Sequence, residues 1–266
     1  MSQNDIFSYY PPKNKYIGIL SIPHSGEEIP DDFHPYLSKN LKDLNCDVDY
    51  RVDALVDIDT LNKAGIAVIV SHIHRTCVDL NRSSDIAALA WKKNSKGAQL
   101  VIKEPEQEIK ERMIRKYHVP YFEMIKTMIN ELHKETSHNI SLVDLHSMPS
   151  EATEYHLKVT PDQPRFRPDF CVSDIEGLSC EESYIDMACN KLKVFSDDVN
   201  KNFPYYGGFI TRHIHAQYKR INNIQIEISR ALYMDEDKKE LTLNKSDKLK
   251  ENLTQSLVSF FKEVYR

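Results

Sequence analysis

"NISLVDLHSMP", residues 139–149, sets an apolar run directly before a histidine. From Ile140 to Leu145 the run is too short for an ordinary helix, and Asn139 and Pro149 bound it. It reads as a buried strand, covered on both faces, which is the signature of a parallel sheet. His146 follows at its carboxyl end. Asp144 stands two residues back, so along a strand it shares a face with His146 and can accept a hydrogen bond from the ring.

Working outward, strand-like and helix-like stretches alternate. Upstream, a helical period runs from about Glu106 to Thr136 through Ile109, Met113, Tyr117, Tyr121, Met124, Met128 and Leu132, with Pro120 expected to kink or divide it. Earlier still, "YIGILSI" (16–22) and "IAVIVSHI" (66–73) read as strands. Between them, helical spacing through Val48, Val52, Leu55, Val56 and Leu61 ends at Gly65. Downstream, "DFCVS" (169–173) reads as a strand and residues 181–199 as a helix. "NIQIEIS" (223–229) alternates as a strand, and a last helix capped by Ser246 or Asp247 carries Leu249, Leu253, Leu257, Phe260 and Val264. The expectation is one α/β domain over residues 1–266: a mixed, mainly parallel sheet with helices on both faces. Ligands of such folds gather outside the carboxyl ends of the strands.

The bulk numbers narrow the function classes. The chain has 266 residues, 41% hydrophobic, enough for a sizeable core. Its net charge of -5, from 35 basic and 40 acidic residues, suggests neither nucleic acid nor a membrane surface as partner. No apolar run is long enough to span a bilayer, and "MSQNDIFSYYPPKNK" lacks the pattern of a signal peptide. The 5 cysteines include no C-x-x-C pair and read as reduced thiols of a cytoplasmic protein. With 7 glycines and no Gly-rich phosphate loop, nucleotide chemistry is disfavoured.

The reactive residues fall near expected strand ends. His24 and Glu27 in "SIPHSGEEIP" have H-x-x-E spacing, and zinc accepts both ligand types. Among 11 histidines such a spacing also arises by chance, and a turn histidine beside an exposed glutamate is the plainer reading of the pair alone. Glu227 lies on the polar face of "NNIQIEISR", where it is either solvent-facing or a general base aimed into a pocket. "HRTCVDLNR" (74–82) carries Arg75, Asn81 and Arg82, which suit recognition of a carboxylate or simply pair with Asp79 and Asp85. His72/His74 and His213/His215 are competing H-x-H pairs that would share a face if extended. Asp49, within "CDVDYRVD", is a further possible metal ligand.

Together "IPHSGEEIP", "RTCVDLNR", "DLHSMP" and "GGFIT…NNIQIEISRALYMDE", in that order, resemble the N-formylglutamate amidohydrolase family over about residues 18–236. That family is similar to zinc carboxypeptidases and aspartoacylase-like deacylases. The resemblance implies a zinc-carboxypeptidase-like fold and zinc or another divalent metal held by His24, Glu27 and His146, with Asp49 the rival carboxylate. It further implies Glu227 as general base and Arg75 as the group polarising the scissile carbonyl. Asn81 and Arg82 would clamp the substrate carboxylate, with Thr211 and Arg230 helping to bind substrate. The implied substrate is a small N-acyl amino acid, foremost N-formyl-L-glutamate, in histidine degradation. A deacylase or carboxypeptidase with another substrate, or a non-catalytic binding relative, stays open.

Overall fold

Seven strands form the central sheet of the computed structural model, which describes residues 6–85 and 92–265. They are β1 (Phe7–Tyr10), β2 (Gly18–Ile22), β3 (Ile66–Ser71), β4 (Ile140–Met148), β5 (Phe170–Ser173), β6 (Val199–Lys201) and β7 (Ile221–Ser229), in the spatial order β1-β3-β2-β4-β7-β5-β6. The β3-β2-β4-β7 centre is parallel throughout. β1 joins antiparallel at one edge, and on the other side β5 runs antiparallel to β7 before β6 pairs parallel to β5. The helices are α1 (Leu41–Leu44), α2 (Ile58–Lys63), α3 (Gln107–Met113), α4 (Val119–Glu135), α5 (Glu154–Val159), α6 (Glu182–Leu192), α7 (Phe209–Gln217) and α8 (Leu243–Val264). A small hairpin, β8 (Met234–Asp235) with β9 (Glu240–Leu241), precedes α8.

The strict alternation along each strand divides the core in two. On one face Leu20, Val68, Val143 and Ile226 pack against Leu61 of α2, Ile185 and Leu192 of α6, and Leu253, Leu257 and Phe261 of α8. On the other, Ile19, Ile69 and Leu142 pack against Tyr121, Ile125 and Met128 of α4 and Ile210 and Ile214 of α7. This second face changes character along the strands. Beyond Ile19 and Leu142 it carries Ser21, Asp144 and His146, all buried. The apolar half closes the sheet, and the polar half at the carboxyl ends becomes the floor of a site. Phe261 fills the space beside Gly18, where any Cβ would meet its ring at 2.1 Å. Truncating such a fully buried aromatic costs about 3–5 kcal/mol.

The expected mixed, mainly parallel sheet with helices on both faces is the fold observed. Several elements differ in detail. β4 continues to Met148, so His146 lies within the strand rather than after it. The single helix expected from Asp47 is instead two 3-10 turns, Asn45–Asp47 and Val52–Leu55, followed by α2. Arg51 at φ 58 and the extended Val56 interrupt it, and Asp57 starts α2 by accepting from Thr60 N. The helical period was real, but the chain breaks there to tie Asp49 N to His24 O at 3.1 Å. The division expected near Pro120 is a π-helical stretch, Ile114–His118, just before that proline at the start of α4. The last helix begins earlier than expected, with Thr242 at its N-cap.

Candidate active site

Two histidines and one aspartate converge above the carboxyl ends of β2 and β4. His24 follows β2, His146 lies in β4, and Asp49 sits between the two 3-10 turns. All three are buried, and their ligand-type atoms lie within 4.8 Å of one another, close enough to share one cation. The rings meet edge to face, with centroids 4.8 Å apart. Each ring is anchored through Nε2: His24 donates to Asp79 Oδ1 at 2.8 Å, and His146 donates to Asp144 Oδ2 at 2.8 Å. Each Nδ1 then faces Asp49 Oδ2, at 3.7 Å from His24 and 3.0 Å from His146. A carboxylate behind the outer nitrogen fixes ring orientation and raises the basicity of the inner one.

The anchors are themselves held. Asp144 Oδ1 accepts from Ser21 Oγ at 2.7 Å, and that hydroxyl contacts Tyr121 OH at 3.0 Å. Asp79 accepts from Arg75 Nη2 at 3.0 Å and from Asn81 N at 2.9 Å. Asp49 Oδ1 accepts from Arg230 Nη2 at 3.3 Å. Burial would raise Asp49 and Asp79, but the imidazoles hold Asp49 well below the usual carboxylate range, and Arg75 and His24 do the same for Asp79. Burial works against charge on His146, yet the Asp144 and Asp49 carboxylates outweigh it and raise the ring's affinity for a proton.

Glu227 lies beside this cluster, opposite His146 in the β4–β7 register. Ile224, Ile226 and Ile228 enter the core while Gln225 and Glu227 line a cavity of about 370 Å³, the pocket-facing alternative of the sequence reading. Gln225 Nε2 donates to Glu227 Oε1 at 2.8 Å. Burial pushes the Glu227 carboxyl up to about 7, against the pull of His146. A buried carboxyl poised near neutrality suits proton transfer.

Arg75, Asn81 and Arg82 also line the cavity. Arg75 is held by Asp47 O at 3.0 Å as well as by Asp79. Asn81 Oδ1 accepts from Ile210 N at 2.9 Å in the first turn of α7, which fixes its amide beside Gly208. A Cβ on Gly208 would collide with that amide, so any larger residue there displaces Asn81. Arg82 is 43% exposed at the mouth, with Asp79 3.5 Å away. Arg230 lines the cavity too, but its guanidinium is engaged with Asp49, Ser147 Oγ and Cys46 O.

Three sequence expectations need correction. Glu27 is exposed and stands outside the cluster. Its segment is extended, with Glu28 N bonded to His72 O and Gly26 packed on the His72 backbone, whereas H-x-x-E convergence needs a turn. Asp49 supplies the carboxylate beside the histidines. Thr211 is fully buried in α7 behind Gly207 and does not line the cavity. The H-x-H pairs do not compete. His74 is spent on Asn45 Oδ1 and Thr76 N, while His213 and His215 lie on helix α7, where positions two apart diverge.

Residues not singled out in the sequence also line the cavity: Gln163, Arg167 and Tyr205. Gln163 and Arg167 share the loop between α5 and β5 and Tyr205 comes from the loop after β6, so no local motif joins all three. Arg167, in "QPRFRPDF", is buried although it is carried by a loop.

Fold and site thus define an α/β protein with a buried His–Asp–His centre and an adjoining glutamate at the carboxyl ends of its parallel strands. A family model described as N-formylglutamate amidohydrolase matches residues 18–234, and the chain belongs to that family. The resemblance read in the sequence is borne out. The chain is 25% and 26% identical to the N-formylglutamate deformylases of Pseudomonas putida and Pseudomonas aeruginosa, over 231 residues covering 82% of this chain and 82% of each relative. An N-formylglutamate amidohydrolase structure from Ralstonia eutropha is similar at a TM-score of 0.84 and 24% identity, covering 97% of this chain and 98% of that one. A gene product of Agrobacterium tumefaciens is similar at 0.69 and 18% identity, covering 96% and 95%. At these identities the structures speak for the fold.

Proposed function

We propose that this chain hydrolyses the formyl amide of N-formyl-L-glutamate, giving formate and L-glutamate, with a divalent cation held by His24, Asp49 and His146. The donor set fits such an ion: two imidazole nitrogens and a carboxylate, with both outer nitrogens already anchored. His24 Nδ1 adds to the fit, being buried with no hydrogen-bond partner among the described residues. Zinc or a similar ion supplies Lewis acidity there, making water nucleophilic near neutral pH and polarising a carbonyl.

The chain's own groups do the rest. Glu227 accepts the proton of the attacking water at its carboxylate and returns it to the departing amine nitrogen. Arg75, fixed between Asp47 O and Asp79, donates to the oxygen that gains charge as the formyl carbon becomes tetrahedral. Asn81 Nδ2 and Arg82 hold a substrate carboxylate at the mouth, which turns binding into orientation. Arg230 acts on Asp49, keeping its carboxylate aimed at the histidines.

The observation that carries this reading is Glu227, buried and near neutral in pKa, on the strand adjacent to His146 and beside the three convergent ligand atoms. The experiment is formate release from N-formyl-L-glutamate by purified protein, stripped of metal and then resupplied with zinc, manganese or cobalt. Turnover should vanish on stripping and return on resupply. Equal turnover in stripped protein sinks the metal dependence. Faster acetate release from N-acetyl-L-glutamate moves the substrate.

A further inference from the structure

Arg167 is 6% exposed, lines the cavity, and has no carboxylate within ion-pairing distance among the described residues. The other arginines named around the site differ. Arg75 and Arg82 approach Asp79, and Arg230 approaches Asp49. Arg167 meets only neutral groups: Nε and Nη2 donate to Gln163 Oε1 at 3.2 and 3.0 Å, and Nη1 donates to Tyr205 OH at 2.9 Å. Gln163 is pinned by its own amide, which donates to His156 O at 2.7 Å. The guanidinium also lies over the Tyr205 ring, 5.1 Å from its centroid.

A buried guanidinium without a counter-ion is costly to desolvate, and an anion completes it. Its fork has five N–H donors, and the neutral acceptors leave some unused. Tyr205 OH accepts from Arg167, so its own proton is left to donate. Burial raises Tyr205 far above the usual tyrosine value, and lowers neighbouring His156 to about 4, so both are neutral at physiological pH. This part of the lining therefore presents one positive charge with no carboxylate beside it among the described residues, and a hydroxyl donor, in a partly buried setting.

We infer that Arg167 and Tyr205 form a second anion subsite that receives the side-chain carboxylate of the substrate, so that Arg167 selects acidic over neutral N-acyl amino acids. This rests on the proposed amide hydrolysis, with the first carboxylate held by Asn81 and Arg82 at the mouth. A planar fork facing a carboxylate explains why arginine suits this position.

The test compares kcat and KM for N-formyl-L-glutamate and N-formyl-L-glutamine, whose neutral amide replaces the side-chain carboxylate. Wild type, Arg167→Gln, Arg167→Lys and the exposed control Arg165→Gln are measured, each with glutarate binding by calorimetry. Arg167→Gln should lose the preference for the acidic substrate about 100-fold, mostly in KM, with activity on the glutamine analogue within a few-fold of wild type. Arg167→Lys, which keeps charge without the fork, should lose it about tenfold and decides the matter if the neutral variant unfolds. Arg165→Gln should match wild type. An unchanged preference in the folded Arg167 variants overturns the subsite. If wild type hydrolyses neither compound, the proposed reaction fails instead, and glutarate binding reads the subsite: loss of binding in Arg167→Gln upholds it, and equal binding overturns it.

Discussion

His146 and Glu227 are register partners on the parallel strands β4 and β7 and point to the same face of the sheet. Parallel neighbours are about 4.8 Å apart. The sheet itself therefore sets a candidate metal ligand beside a candidate base, with no loop between them to relax. This rigidity matters because proton transfer needs its groups held within hydrogen-bond reach of the reacting atoms.

Replacing Glu227 by Gln keeps the shape and removes the base. The expected loss in kcat is about 10²–10⁴-fold, with KM changed little and bound metal unchanged. Steady-state kinetics with metal analysis on the same preparation measures this. A variant that keeps kcat within tenfold moves the base to another group.

The two outer carboxylates should separate in function. Among the described residues Asp144 accepts from His146 and Ser21 alone, so Asp144→Asn should weaken metal affinity about 10–100-fold while leaving KM alone in metal-saturated protein. Asp79 holds His24, Arg75 and the Asn81 backbone at once, so Asp79→Asn should damage metal affinity and KM together. Competitive chelator titration gives the first quantity and kinetics at saturating metal the second. Identical phenotypes for the two variants would contradict this division of labour.

Much of this was legible because periodicity reports burial directly. The alternation at Ile224, Ile226 and Ile228 fixed the face of Glu227, and the apolar run before His146 fixed a central strand. The pairing of His146 with Asp144 followed from the same two-residue repeat. What local spacing could not report is how loops close. Asp49 reaches His24 across a backbone bond between residues distant in sequence, and the helical period around it gives no hint that Arg51 leaves the helix. Glu27 has the right spacing on the wrong backbone. Arg167 enters the cavity from the loop between α5 and β5, which carries no motif that marks a site.

Glu27 and Asp49 can be told apart by metal content. Glu27→Gln changes an exposed side chain and should leave metal and activity within about twofold of wild type. Asp49→Asn removes the charge facing both Nδ1 atoms and leaves Arg230 without its carboxylate. It should lose most of the metal as isolated and most activity. Elemental analysis after gel filtration is sufficient. Retention by Asp49→Asn with loss by Glu27→Gln would reverse the assignment.

Metal-stripped protein should also show the raised Glu227 carboxyl as a pH dependence of stability. The ordinary glutamate value is 4.5, and the folded protein holds Glu227 near 7. Between those values the folded state binds more protons than the unfolded chain, so unfolding free energy falls as pH rises. The favourable contribution is complete below about 4.5 and lost through about 7, at most about 3 kcal/mol in size. Glu227→Gln lacks this titration, while the other carboxylates and histidines remain in both proteins. Urea unfolding of stripped wild type and Glu227→Gln at pH 5 and pH 8 isolates the effect. The stability of wild type relative to the variant should drop toward pH 8. A difference that stays constant across that range means burial does not hold the Glu227 proton, and the poised base would have to be sought elsewhere in the cavity.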